Sequence, residues 1–329
     1  MMAEWLSFLR CPRTGARLSL DETGYLVSLE GQYRYPVLFG IPDFRVFDPP
    51  YMSREEELRI AGRLYEAANK MDYSQMVEYF ENILLGHRSQ EAITTGVTHR
   101  LKLRERSPNR LKQLLEKGNN LAPNGKVLDL GCGSGEAVGA LIKLGGQSVI
   151  GMDISLTELI LARKLLEERG IIACLVAACA EAMPFCSTYF DFVYSPDVIE
   201  HVSDQTQYLE EINRILQQNG TVLLNSPNRY SLVCPEPHVG IWFLTFLPRS
   251  WVDPVCRVLG KGSYIGKRLL SLVELRQLVF KNFSDFQIMS RQANSQSQSW
   301  LGKLYYFFSP WSEKLFAYVA DQHVVVAKK

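Results

Sequence analysis

The segment Val127-Leu128-Asp129-Leu130-Gly131-Cys132-Gly133-Ser134-Gly135-Glu136 constrains the fold more than any other stretch of the chain. An apolar run long enough for a buried strand ends in three glycines at alternate positions, and a helix-compatible sequence follows. Glycine carries no Cβ, so such a turn accepts positive φ and lets a ligand come close to the backbone. The spacing is G-x-G-x-G: position 136, where a dinucleotide-binding turn places its third glycine, is Glu. Asp153 closes the next apolar run, 22 residues after Gly131, and suits a carboxylate that accepts from both hydroxyls of a ribose. The two features together predict a nucleoside-bearing ligand.

Around this segment strands and helices alternate. Strands are predicted at 126–130, 148–153, 172–177, 190–195 and 221–225, with helices after Gly135 and at 156–169 and 205–217. Such repetition predicts an α/β fold with a doubly wound, mainly parallel sheet that binds ligands at the carboxyl ends of its strands. The 329 residues, 47% hydrophobic and 22% charged, suffice for two domains or one large domain with additions. With 36 Lys+Arg against 35 Asp+Glu, the net charge of +1 gives no global electrostatic case for a nucleic-acid partner. Apolar stretches such as 241–247 fall far short of the ~20 residues needed to cross a bilayer, so no transmembrane span is expected. The opening MMAEWLSFLRCP lacks the basic and long apolar regions of a signal peptide, and a cytoplasmic location is expected. Seven cysteines at irregular spacing, without a CxxC pair, argue against disulfides and against the usual zinc ligand set.

Residues 1–50 read as a small β-rich module, with strands near 25–29 and 33–39 between Gly and Pro turns. Residues 51–118 read as a helical linker or lid, with Glu55, Glu56 and Glu57 at one helix start. The basic stretch 99–117 reads as a solvated helix face, with phosphate contact as its alternative.

The motifs Asp129 to Gly135, Gly151-Met152-Asp153-Ile154-Ser155, Ala180-Glu181-Ala182-Met183-Pro184-Phe185, Phe190-Asp191-Phe192-Val193, Ile199-Glu200-His201-Val202, and Gly220-Thr221 through Pro227-Asn228 occur in one order. In this the chain resembles the class I S-adenosylmethionine-dependent methyltransferases, and within them the ubiquinone-biosynthesis O-methyltransferases. The resemblance implies a seven-stranded Rossmann-like sheet whose last strand, 323–327, enters antiparallel, in a methyltransferase domain spanning 119–329. It implies S-adenosyl-L-methionine as cofactor, with Asp129 among its binding residues, Gly131, Gly133 and Gly135 around the methionine part, Asp153 on the ribose and Ile154 against adenine. Ala180 and Glu181 would border the adenine edge, and Ser195 would lie under the methionyl end. Where the family often has an acceptor Asp, this chain has Cys179, a poor acceptor. Through Leu9-Arg10-Cys11-Pro12 with Thr14-Gly15, Tyr35-Pro36-Val37 and Gly40-Ile41-Pro42-Asp43-Phe44, the first 50 residues resemble the short, zinc-ribbon-like domain of the activator subunit of tRNA methyltransferases and related bacterial proteins. Cys11 stands there without a CxxC partner, Thr14 occupying that place, so no metal is expected and the module is read as a packing or protein-partner surface.

Methyl transfer from a sulfonium is an in-line displacement, which asks an enzyme chiefly for alignment and, with a weakly acidic acceptor, for a base. Two segments outside the sheet qualify as acceptor pocket: 229–270, with Tyr230, Trp242, Phe243, Phe246 and Trp251, and 292–322, with Trp300, Tyr305, Tyr306, Phe307, Phe308, Trp311 and Phe316. Their rings favour an apolar or aromatic small molecule, although core, oligomer interface or peripheral membrane contact are alternative uses. His238 is the candidate general base and His201 a second catalytic candidate, with Glu236 and Asp197 as orienting groups. The expected function is methyl transfer to a small aromatic or lipid-like acceptor at oxygen; an RNA methyltransferase and a cofactor-binding scaffold are the alternatives.

Overall fold

The computed structural model describes residues 2–49, 51–86, 89–118, 121–290 and 317–329. In chain order the elements are α1 (Met2–Trp5), β1 (Leu18–Leu20), β2 (Leu26–Ser28), β3 (Arg34–Tyr35), β4 (Val37–Leu38), β5 (Ile41–Pro42), α2 (Arg54–Ala67), α3 (Tyr73–Leu85) and α4 (Gln90–Lys117). They continue with β6 (Gly125–Leu130), α5 (Glu136–Lys143), β7 (Gly146–Asp153), α6 (Leu156–Glu168), β8 (Cys174–Ala177), β9 (Phe190–Pro196), α7 (Gln205–Ile215) and β10 (Leu216–Pro227). α8 (Arg249–Val258), α9 (Leu272–Asn282), β11 (Asp285–Ser290) and β12 (Gln322–Lys328) complete the set.

Seven strands form one sheet in the order β11-β12-β10-β9-β6-β7-β8. β6 runs parallel to both β7 and β9, and β7 parallel to β8, whereas β12 is antiparallel to β10 and β11. The doubly wound sheet and its antiparallel last strand are as expected; β11 was not anticipated, because Asp285–Ser290 mixes polar and apolar residues at an edge. Strand β10 begins at Leu216, directly after α7, rather than at 221. Val127, Leu128 and Leu130 are buried, as a strand covered on both faces requires.

Two compact units are distinguished by their contacts: Met1–Tyr194 with Arg214–Gly220, and Ser195–Asn213 with Thr221–Lys329. In the first, α2 and α3 lie against α6, and α4 lies against α3 and α5. This outer layer explains why α6 buries Leu156, Leu159, Ile160, Leu161, Ala162, Leu165 and Leu166, more than one stripe of an exposed helix would. The amino-terminal residues form a three-stranded antiparallel sheet, β1-β2-β3, and the hairpin β4-β5, where one longer strand was expected at 33–39. Cys11 is buried with its Sγ 3.1 Å from the Tyr35 hydroxyl. In the second unit, α8 packs Val252 and Cys256 with Leu244, Tyr264 and Leu269 into a small core of its own.

Candidate functional site

The glycine turn follows the carboxyl end of β6 and leads into α5. Gly131, Gly133 and Gly135 have φ of +77°, +49° and +78°, the left-handed region that glycine occupies without a Cβ penalty. A Cβ on Gly135 would come within 2.9 Å of the Ala162 Cβ, so this glycine lets α5 close on α6. A Cβ on Gly133 would meet nothing within 4 Å and would fill the open side of the turn. Asp153, at the end of β7, holds the turn in place: its Oδ2 accepts from the Gly133 amide at 2.8 Å and its Oδ1 from the Ser155 amide at 2.8 Å. Each carboxylate oxygen keeps a further lone pair. Burial pushes the Asp153 pKa up to about 6, against the lowering effect of those two amides, with Glu158 and Glu57 adding to the rise.

Asp129 lies wholly inside. Burial, reinforced by Glu136 and Asp153, raises its pKa well above the usual carboxylate range, and its Oδ2 has no hydrogen-bond partner among the described residues. Ser134 donates to Glu158 Oε2 at 2.5 Å, and Glu158 Oε1 pairs with Arg100 of α4 at 2.7 Å. Arg100 also pairs with Glu81, so this member of the basic stretch braces the first unit instead of facing solvent. The open cradle at Gly133, the orphaned Asp129 oxygen and the spare acceptor capacity of Asp153 fit an adenosyl amino acid, whose hydroxyls and ammonium are all donors.

Ile154 follows Asp153, and its carbonyl accepts from Arg45 Nη1 at 3.0 Å. Ala180 and Glu181 are half-buried in the turn after β8, where the Ala182 amide donates to the Cys179 carbonyl. The Cys179 thiol points to the Phe47 carbonyl at 3.7 Å, so the residue that replaces the family's Asp holds the amino-terminal segment.

In the second unit, Ser195 is buried and its Oγ accepts from the Tyr208 hydroxyl at 2.8 Å. Asp197 adopts φ +53°, and its Oδ1 accepts from Asn225 Nδ2 at 2.7 Å. His238 and His201, 37 residues apart in sequence, meet: their Nε2 atoms are 3.2 Å apart and the rings are nearly perpendicular, with centroids at 4.9 Å. The other side of His238 is held by Glu236, whose Oε1 lies 2.5 Å from Nδ1 and whose Oε2 accepts from the amides of His238 and Val239, both at 2.8 Å. Tyr264 donates to the same Oε1 at 2.8 Å. Burial opposes the Glu236 charge, but the bonds from His238, Tyr264 and Val239 outweigh it and keep the carboxyl below its usual range. Desolvation of the His201 ring, then the nearby His238 and Lys267, lower its pKa to about 4, although much of the residue still meets solvent.

Glu200, His201 and His238 each bring one donor atom within 4.8 Å of the others. Sequence reading raised both histidines singly and missed their pairing, for which no local spacing gives a signal. It also missed Tyr264, which no motif marks. Trp242, Phe243, Phe246 and Trp251 are exposed by 38%, 47%, 42% and 61%, so they do not form the core of this insertion. The rings expected at Trp300, Tyr305, Tyr306, Phe307, Phe308, Trp311 and Phe316 lie outside the described residues. No helix among the described residues is long and apolar enough to cross a membrane.

Residues 128–224 match the family model described as a methyltransferase domain. Ubiquinone biosynthesis O-methyltransferase of Bartonella quintana is 26% identical over 159 residues, 48% of this chain and 60% of that protein. The enzyme of that name from Chelativorans sp. is 31% identical over 126 residues, covering 38% of this chain and 49% of its own. The chain thus spans half to three fifths of the length of these curated relatives. A solved methyltransferase of Thermotoga maritima, titled a possible histamine N-methyltransferase, aligns with 72% of this chain and 95% of its own at 19% identity and a TM-score of 0.46. The glycine turn, the β7 carboxylate and the matched segment identify residues 128–224 as a class I S-adenosylmethionine-dependent methyltransferase domain, with S-adenosylmethionine as its cofactor.

Proposed function

We propose that the chain transfers the methyl group of S-adenosylmethionine to an oxygen of a small aromatic or lipid-like acceptor. Bound in the first unit, the cofactor supplies an electrophilic methyl on a sulfonium. Asp153 accepts from its ribose hydroxyls, the Gly131 to Gly135 turn and Asp129 receive its amino-acid part, and Ile154, Ala180 and Glu181 border its base. Ser195 and its Tyr208 partner belong to the second unit, and Ser195 is assigned to the methionyl end by resemblance only.

The observation that carries the acceptor side is the chain Glu236–His238–His201. An ionised Glu236 keeps the proton of His238 on Nδ1, which leaves a lone pair on Nε2. In the resting arrangement His201 Nε2–H faces that lone pair; an acceptor hydroxyl takes its place and gives its proton to His238. The acceptor oxygen forms its bond to the methyl carbon as the carbon–sulfur bond breaks, and the electron pair leaves with sulfur. The resulting imidazolium is stabilised by Glu236, whose carboxylate faces its Nδ1–H. The relatives that bear the name of ubiquinone-biosynthesis O-methyltransferases support an oxygen acceptor, and the exposed rings of 241–251 support an apolar one. Those rings would also suit peripheral contact with a membrane.

The test is incubation with methyl-labelled S-adenosylmethionine and fractionated metabolites. Label in organic-soluble hydroxylated aromatics supports the reading; label in RNA overturns it, and binding without turnover makes the chain a scaffold. A second reading rests on the convergence of Glu200, His201 and His238. If a chelator abolishes turnover and a divalent cation restores it, an ion held by these three takes over activation of the acceptor. Chelator-indifferent turnover assigns it to the His238 base.

A further inference from the structure

We infer that Arg45 and Glu57 are positioning residues for the nucleoside half of the cofactor site, so the amino-terminal segment is a working part of that site. The inference rests on the cofactor reading above and extends it to residues outside the motifs that carry that reading, which begin at Asp129.

Both side chains are buried, as is Asp43. The Arg45 guanidinium makes a fork with Asp43, Nε to Oδ1 at 2.9 Å and Nη2 to Oδ2 at 2.8 Å, and its Nη1 bonds Glu57 Oε2. The same Nη1 donates to the carbonyl of Ile154 at 3.0 Å, and the other oxygen of Glu57 accepts from the amide of Leu156 at 2.9 Å. One ion pair therefore grips the backbone on both sides of Ser155. That grip falls within the stretch where Asp153 turns its carboxylate toward the Gly133 amide. Leu156 is the first residue of α6, and its amide has no acceptor within the helix; Glu57 supplies one.

A second attachment reaches the neighbouring strand. Asp43 pairs with Ala177 in an isolated parallel bridge, the Phe44 amide donates to the Ala177 carbonyl at 2.7 Å, and the Phe47 carbonyl meets the Cys179 thiol. Residues 43–57 thus fix the chain after β7 and after β8, the two places assigned to ribose and adenine. Breaking a buried ion pair on one side leaves an uncompensated charge, so sequence change here acts sharply. What the pair contributes at this place is preorganisation: loops held in the bound geometry spare the cofactor the cost of ordering them.

The experiment is calorimetry of S-adenosylhomocysteine binding to the full chain, with near-ultraviolet circular dichroism and melting temperature recorded on each variant. Arg45→Met should weaken binding by about 10–100-fold while kcat at saturating cofactor stays within about twofold, because the acceptor side is untouched. Arg45→Lys keeps one charge contact and should recover part of the affinity. Leu26→Ala, in the core of the amino-terminal sheet, serves as the control that lowers stability without touching residues 153–156. Should Arg45→Met not fold, Glu57→Gln gives the answer: affinity falls and the Leu156 amide exchanges faster in the unliganded protein. Affinity in the Arg45 and Glu57 variants equal to that of Leu26→Ala overturns the inference. Wild-type protein that binds no S-adenosylhomocysteine fails the cofactor reading instead, and the two failures are told apart by that first titration.

Discussion

Asp153 ties the glycine turn to β7 with its carboxylate, and in the proposed function the same carboxylate accepts from the ribose. Asp153→Ala should therefore weaken S-adenosylhomocysteine binding by about 1.5–3 kcal/mol in calorimetry, and unchanged affinity would remove it from the ribose. Its pKa of about 6 has two consequences of opposite sign. The folded value lies above that of an unfolded Asp, so the buried charge costs stability in full above pH 6, and the cost fades as pH falls from about 6 toward about 4. Ribose hydroxyls, in contrast, need the carboxylate as acceptor, so affinity should fall between pH 7 and pH 5; a flat profile contradicts the assignment. On the acceptor side, His238→Ala should lower turnover about 10²-fold with cofactor affinity preserved. At this scale Asp153 was legible because a strand end and a glycine turn mark it in one dimension. The Glu236–His238–His201 chain was not, since it joins residues 37 positions apart on irregular segments. Glu57 was misleading for a different reason: an acidic first turn reads as a complement to the helix dipole, yet this carboxylate is buried and caps another helix.

The glycine turn and α5 answer to different constraints at neighbouring positions. Gly135→Ala places a Cβ 2.9 Å from Ala162 at φ +78°, so it should destabilise the chain by about 1–3 kcal/mol, seen as a lowered melting temperature. Gly133→Ala meets no protein atom, so its folding cost should be about 1 kcal/mol from φ alone, while its methyl fills the cradle and blocks S-adenosylhomocysteine. Equal effects of both on stability with no difference in binding would show that the open side of the turn receives no ligand. Strands β6 to β9 were legible because each carries a short apolar run, such as Val127-Leu128 or Val149-Ile150, between turn signals and helical stretches. The hairpin β4-β5 and the edge strand β11 were not, because short or half-polar strands take their pairing from tertiary partners that periodicity does not reveal.

Across the whole molecule, nearly equal numbers of acidic and basic residues give no global attraction for phosphate, and on α4 Arg100 is held by Glu81 and Glu158. Bulk tRNA should accordingly show no binding across a salt series from about 50 to 200 mM; steep salt-dependent binding would restore the RNA alternative. The bond from Arg45 to the Ile154 carbonyl spans 109 residues, and that of Cys179 to Phe47 spans 132. During synthesis the leading segment therefore leaves the ribosome well before its anchors exist. Its buried arginine must wait, solvated, until β7 and β8 have been translated, which makes completion of the ligand cradle a late event in the birth of the chain.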